Sequence, residues 1–161
     1  MNDLASKGID SYIVEMPLNL AFLGANSADD IIKNSNYSHY VIAGHSMGGV
    51  AASKYCEDHD VDGLILLASY SIEEIDIPVL AIYGSNDKIL NRYTYDESKD
   101  YYNNNFTEFI IPGGNHCQFG NYGYQKGDGN ASISSTAQQN ETANEIIKFI
   151  NTVTKNSKIK N

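Results

Sequence analysis

The chain has 161 residues, 42% hydrophobic and 19% charged, which is enough for one domain with a buried core. Its formal charge of −9 argues against nucleic acid and anionic membrane as partners, since clustered lysine and arginine hold both. No apolar run reaches membrane-spanning length and the N-terminus has no signal-peptide pattern, so a cytoplasmic location without a membrane partner is expected.

In chain order, Ser11 to Met16 reads as a first apolar strand. Ser27, followed by Asp30, resembles a helix N-cap with a carboxylate in the first turn, opening a short helix toward Asn34. Three further strands are expected at His39 to Ala43, Gly63 to Ala68 and Pro78 to Tyr83, and another at Phe106 to Ile111. These runs are near-continuously apolar, the pattern of parallel strands covered on both faces. Helices are expected at Met47 to Asp58, Arg92 to Tyr102 and Thr136 to Thr154. The last carries Ala143, Ile146, Ile147, Ile150 and Val153 as one apolar stripe. Pro112 to Ser135, rich in Gly, Asn, Gln and Tyr, is too long for an idle connection and reads as a functional loop. The alternation predicts a single α/β domain over 1–161, with a predominantly parallel sheet of about five strands and helices on both faces.

Cys56 and Cys117 form no CxxC or metal-ligand pattern, so neither a disulfide nor a metal or cofactor site is expected. The sequons at Asn36, Asn105, Asn130 and Asn140 are ordinary in an asparagine-rich chain. Lys148, Lys155, Lys158 and Lys160 read as solvation of a helix end.

The most informative motif is Gly44-His45-Ser46-Met47-Gly48, between an apolar strand and a helix. This is the pattern of a nucleophile elbow, a turn expected to be too tight for side chains at its flanking positions. A serine hydroxyl needs a base to take its proton and an acid to orient that base. Asp87 follows the strand at Pro78 to Tyr83, and His116 follows the strand at Phe106 to Ile111. Strand ends of a parallel sheet share one edge, so Ser46, Asp87 and His116 can converge there. Asp87 also suits a turn; Asp60, Asp62 and Asp96 are weaker acids because they do not directly follow a strand end. Of the other histidines, His39 opens a strand, His45 lies inside the elbow and His59 ends a helix. Cys117 reads as small loop packing. The backbone N–H of Met47 supplies one oxyanion donor. No Gly-rich loop after an earlier strand supplies the second.

At these residues the chain resembles the α/β-hydrolase superfamily, and more narrowly the small bacterial family related to dienelactone hydrolases. GHSMGG, GSNDK and GGNHCQFGNYGYQKGDGNASIS carry the resemblance, which covers the chain from Gly8 to the final helix. It implies Ser46, Asp87 and His116 as nucleophile, acid and base. It places Pro17 and Asn19 near the pocket mouth, with His45, Gln118, Phe119 and Tyr122 lining the site. It also implies strands ahead of Ser11 to Met16, so the fold is expected to be an N-terminally shortened α/β-hydrolase. A strand would then be missing beside the nucleophile strand. Ser11 to Met16 pairs there directly, another chain supplies the strand, or the natural protein starts upstream. An exposed edge would favour self-association. The expected function is hydrolysis of a small ester, lactone or thioester through an acyl-enzyme on Ser46. The alternatives are acyl transfer by the same residues and a non-catalytic binding remnant.

Overall fold

The structure, a computed structural model, describes residues 2–14 and 26–157. Its elements are α1 (Asn2–Ala5), α2 (Asp29–Lys33), β1 (Val41–His45), α3 (Met47–Asp58), β2 (Gly63–Leu67) and β3 (Val79–Gly84). Then follow α4 (Arg92–Ser98), a 3-10 turn (Lys99–Tyr101), β4 (Phe106–Ile111), a second 3-10 turn (Cys117–Phe119) and α5 (Ser135–Ser157). The strands form one parallel four-stranded sheet in the order β1-β2-β3-β4.

Alternate residues of β2 and β3 feed opposite faces, as the period of a strand requires. Leu64, Leu66, Val79, Ala81 and Tyr83 pack with Ala52, Tyr55 and Cys56 of α3 and Tyr95 of α4. Ile65, Leu80 and Ile82 pack with Phe149 and Val153 of α5 on the other face. Helices therefore cover both faces, and burial of the two central strands is nearly complete. Cys56, on the buried face of α3, has its thiol pushed up to about 12 by burial, and both cysteines are free.

Several expectations need correction. The strand expected at Ser11 to Met16 does not form over 11–14, and its last two residues lie outside the described ones. The sheet thus has four strands among the described residues where about five were expected. Ser27 is not the cap of α2: the N-cap is Ala28, with no side-chain capping bond. The strand ending in the elbow starts at Val41 and runs on to His45. The helix expected through Tyr102 ends at Ser98 and tightens into a 3-10 turn. The buried stripe of α5 is Gln138, Thr142, Phe149 and Val153; Ala143 and Ile147 are only half-buried. A polar Gln and Thr hold core positions because both bond to backbone there.

β1 differs from its neighbours. It is half-buried, with Ala43 exposed at its centre, and no strand pairs with its outer edge among the described residues. A cavity of about 540 Å³ runs along that edge, lined by Ile9, Tyr12, Val14, Ile42, Ile146 and Ile150 among others. Among the described residues no helix is long and apolar enough to cross a membrane.

Candidate active site

Because all strands are parallel, the loops after β1, β3 and β4 open on the same sheet edge, and they carry Ser46, Asp87 and His116. Ser46 has φ 54°, a left-handed conformation that a non-glycine residue adopts only when its surroundings enforce it. Three bonds do so. Its N–H donates to the Leu67 carbonyl at 3.0 Å, and its carbonyl accepts from Gly49 N–H at 2.9 Å and Ser69 Oγ at 2.6 Å.

The elbow's glycines are not equivalent. A Cβ on Gly44 would lie 2.2 Å from the Gly48 carbonyl oxygen, whereas one on Gly48 meets nothing within 4 Å. The steric need expected at both flanks holds at Gly44 alone. A second tight position falls on Gly49, where a Cβ would come within 2.4 Å of Ser69 Oγ. α3 starts directly after Ser46, so the N–H of Met47 has no intrahelical acceptor and points from the helix N-terminus.

Asp87 and His116 meet. His116 Nδ1 lies 2.9 Å from Asp87 Oδ2, and both side chains are essentially inaccessible. A carboxylate only accepts, so Nδ1 carries the proton of that bond and Nε2 is the ring nitrogen left for other work. That Nε2 is buried and has no hydrogen-bond partner among the described residues, Ser46 Oγ included. Catalytic hydrogen bonds are often long without substrate. The other oxygen of Asp87 accepts the N–H groups of Ile89 and Leu90, each at 2.8 Å, which fixes the carboxylate before it meets the ring.

The loops after β3 and β4 are zipped together. Ser85 N–H donates to Ile111 O, Asn86 N–H to Gly114 O and Gly113 N–H to Ser85 Oγ. A Cβ on Gly84 would sit 2.2 Å from the Gly114 carbonyl carbon, so only glycine allows the approach. From α5, the Gln138 side chain bonds both backbone groups of Asn115, the residue before His116.

Of the expected pocket residues, His45, Phe119 and Tyr122 gather beside His116. The His45 ring centroid lies 4.6 Å from that of His116, 5.7 Å from Phe119 and 6.0 Å from Tyr122. His45 Nε2 donates to the His116 carbonyl at 3.2 Å, and burial followed by the neighbouring His116 pushes its pKa down to about 4. Gln118 acts otherwise: its Nε2 bonds Ile133 O and bridges the loop. Pro17 and Asn19 lie outside the described residues. The competing residues are engaged elsewhere: His39 with Asp62, His59 stacked on Tyr55, and Asp96 with Lys99. Among the described residues no group of three or more His, Cys, Asp or Glu could hold a metal ion.

Sequence reasoning missed Asp128. Its carboxylate accepts the N–H groups of Cys117 at 2.9 Å, Gly129 at 2.8 Å and Lys88 at 3.3 Å. Burial opposes its charge, but those bonds prevail and hold its pKa below the usual carboxylate value.

A sequence model of the alpha/beta hydrolase family matches residues 1–140, and the chain belongs to that family. No curated protein matches the chain. Among solved structures it is similar to the predicted CIB-like hydrolase from Thermoplasma acidophilum, at 19% identity and TM-score 0.57 over 73% of this chain and 68% of that one. It is also similar to CarC, a serine hydrolase involved in carbazole degradation, at 14% identity and TM-score 0.59 over 88% and 74% of the two chains. A third likeness is to Est1E from Butyrivibrio proteoclasticus with ferulic acid bound, at 14% identity and TM-score 0.58 over 82% and 70%. At such identities the likeness is one of fold. Family and neighbours together support a hydrolase.

Proposed function

We propose that the protein is a serine hydrolase that cleaves a carboxylic ester, lactone or thioester through an acyl-enzyme on Ser46. The observation that carries this reading is the buried Asp87–His116 bond, which leaves a bare Nε2 at the sheet edge where Ser46 is held in a strained turn. In the forward step Ser46 Oγ attacks the carbonyl carbon while its proton passes to His116 Nε2. Asp87 holds the ring by Nδ1 and stabilises the imidazolium. The oxyanion that develops is met by the N–H of Met47 at the start of α3. Collapse breaks the bond to the alkoxide or thiolate, which leaves with the proton from His116. Water then repeats the sequence on the acyl-enzyme, releasing the acid and restoring Ser46. His45, Phe119 and Tyr122 would form the wall against which the acyl or leaving group rests, at a tilted aromatic surface suited to a flat apolar group. CarC, a serine hydrolase, and Est1E, which binds ferulic acid, are similar in fold and support the reading.

A fluorophosphonate probe tests the reading. It is expected to label the folded protein on Ser46, and Ser46→Ala is expected to abolish labelling and p-nitrophenyl ester turnover together. A folded wild-type protein that resists the probe would overturn it. A non-catalytic reading rests instead on the second oxyanion donor, which no Gly-rich loop ahead of the elbow supplies. It predicts folding without labelling.

A further inference from the structure

The GDG stretch of the long loop has no part in the steps above, yet one of its side chains touches both halves of the acid–base pair. Asp128 Oδ2 accepts from the N–H of Cys117, the residue after His116. Its Oδ1 accepts from the N–H of Lys88, the residue after Asp87, and from Gly129. We propose that Asp128 is a positioning residue whose carboxylate clamps the backbone immediately after the acid to the backbone immediately after the base. This rests on the serine hydrolase reading for its catalytic meaning, but the clamp itself is a matter of geometry.

The argument is one of alignment. His116 and Asp87 come from loops 29 residues apart, and their bond is 2.9 Å long with both groups shut away from water. Such a bond survives only small displacements of either loop. The zipper at Ser85, Asn86 and Gly113 fixes the loops before the acid and before the base. Among the described residues only Asp128 ties them after those residues, so each catalytic side chain is gripped on both sides. The clamp is itself anchored. Asn115 Nδ2 donates to Gly129 O, and a Cβ on Gly129 would lie 1.9 Å from Asn86 O, so the chain bearing Asp128 sits directly against both loops. A neutral amide cannot do the same work. In Asp128→Asn one oxygen becomes an NH₂, which would face an N–H where an acceptor is needed, so one of the two ties is lost.

The test compares Asp128→Asn and Asp128→Ala with Asp62→Asn. Asp62 makes a similar carboxylate contact, accepting from Tyr40 N–H and facing His39, but at the opposite end of the strands. Two readouts are taken: kcat and KM on a p-nitrophenyl ester, and the low-field proton NMR signal of His116 Nδ1, which reports its bond to Asp87 without substrate. Asp128→Asn is expected to lower kcat by ~10- to 100-fold with KM within about twofold, and to broaden or shift the imidazole signal. Asp128→Ala is expected to do more of both, and Asp62→Asn to change neither. An Asp128→Asn protein with wild-type kcat and an unmoved signal would overturn the proposal. So would one that fails to fold, since Asp128 would then be a structural residue only. If wild type neither turns over esters nor takes the fluorophosphonate, the hydrolase reading fails. The NMR signal still decides the clamp.

Discussion

The two halves of the site are built to different standards. On the β3–β4 side, Asp87 and His116 sit in loops stitched by backbone bonds, glycine contacts and the Asp128 carboxylate, with their side chains closed to solvent. On the β1 side, Ser46 ends a half-buried strand that has one paired neighbour among the described residues and a cavity along its other edge. The Asp87–His116 pair thus owes its order to many short-range bonds. The serine owes its order to a few contacts with β2 and α3. Precision in one half does not guarantee it in the other.

The largest expected effect probes the tight half. In Asp87→Asn, the amide oxygen can keep the Ile89 and Leu90 bonds, but its NH₂ faces Nδ1 and forces the other imidazole tautomer. Turnover should fall about 10⁴-fold while the urea midpoint stays near wild type. A small loss would show that the pair is not the catalytic one.

A second pair of variants separates packing from pattern in the loose half. Gly44→Ala would place a methyl on the Gly48 carbonyl and is expected to cost about 4 kcal/mol or more in urea unfolding. Gly48→Ala enters open space in the first turn of α3 and should be neutral or stabilising by up to about 1 kcal/mol. Equal losses at both positions would contradict the asymmetry.

Where the halves meet, His45 gives a pH signature. Its pKa is about 4 in the fold, against about 6.5 for a free imidazole. Between those values the unfolded chain binds the proton and the native protein does not, so stability falls as the pH drops through that window. The loss attributable to His45 is about 3 kcal/mol by pH 4, and His45→Gln should flatten that part of the profile. A slope unchanged in the variant would place the effect on other groups.

The smallest effect is dynamic. Amides of β1 should exchange with solvent hydrogen at least ~10-fold faster than those of β3, because local opening follows local burial. Equal protection would mean that β1 is covered in solution.

What could be read from the sequence was what is local. The elbow, and the rule that Asp87 and His116 follow strand ends, depend on a few neighbouring residues, and the structure puts all of them on one edge. Phe106 to Ile111 and Met47 to Asp58 have the bounds the pattern predicts. Asp128 was hidden because a GDG in a loop reads as a turn, while its role depends on amides 11 and 40 residues away. The strand expected at Ser11 to Met16 misled because apolar character alone does not bring a segment into register with an edge: Tyr12 and Ile13 are exposed although the outer edge of β1 is unpaired among the described residues. The stripe of α5 was misplaced for a similar reason: Gln138 is buried for its bonds to Asn115, which hydrophobic periodicity does not register.

The outer edge of β1, unpaired among the described residues, also bears on how the protein behaves as a colloid. Edge strands invite pairing with other chains, and proteins commonly blunt them with charge placed on the strand itself. Val-Ile-Ala-Gly-His carries no acidic or lysine side chain, so the protection must come from elsewhere. A net charge of −9 opposes such pairing at neutral pH, since like-charged molecules repel. That repulsion fades toward the isoelectric point, about 4.7, and is screened by concentrated salt. The protein should therefore be most prone to edge-to-edge association in mildly acidic or high-salt solution, with light scattering rising there before any loss of secondary structure.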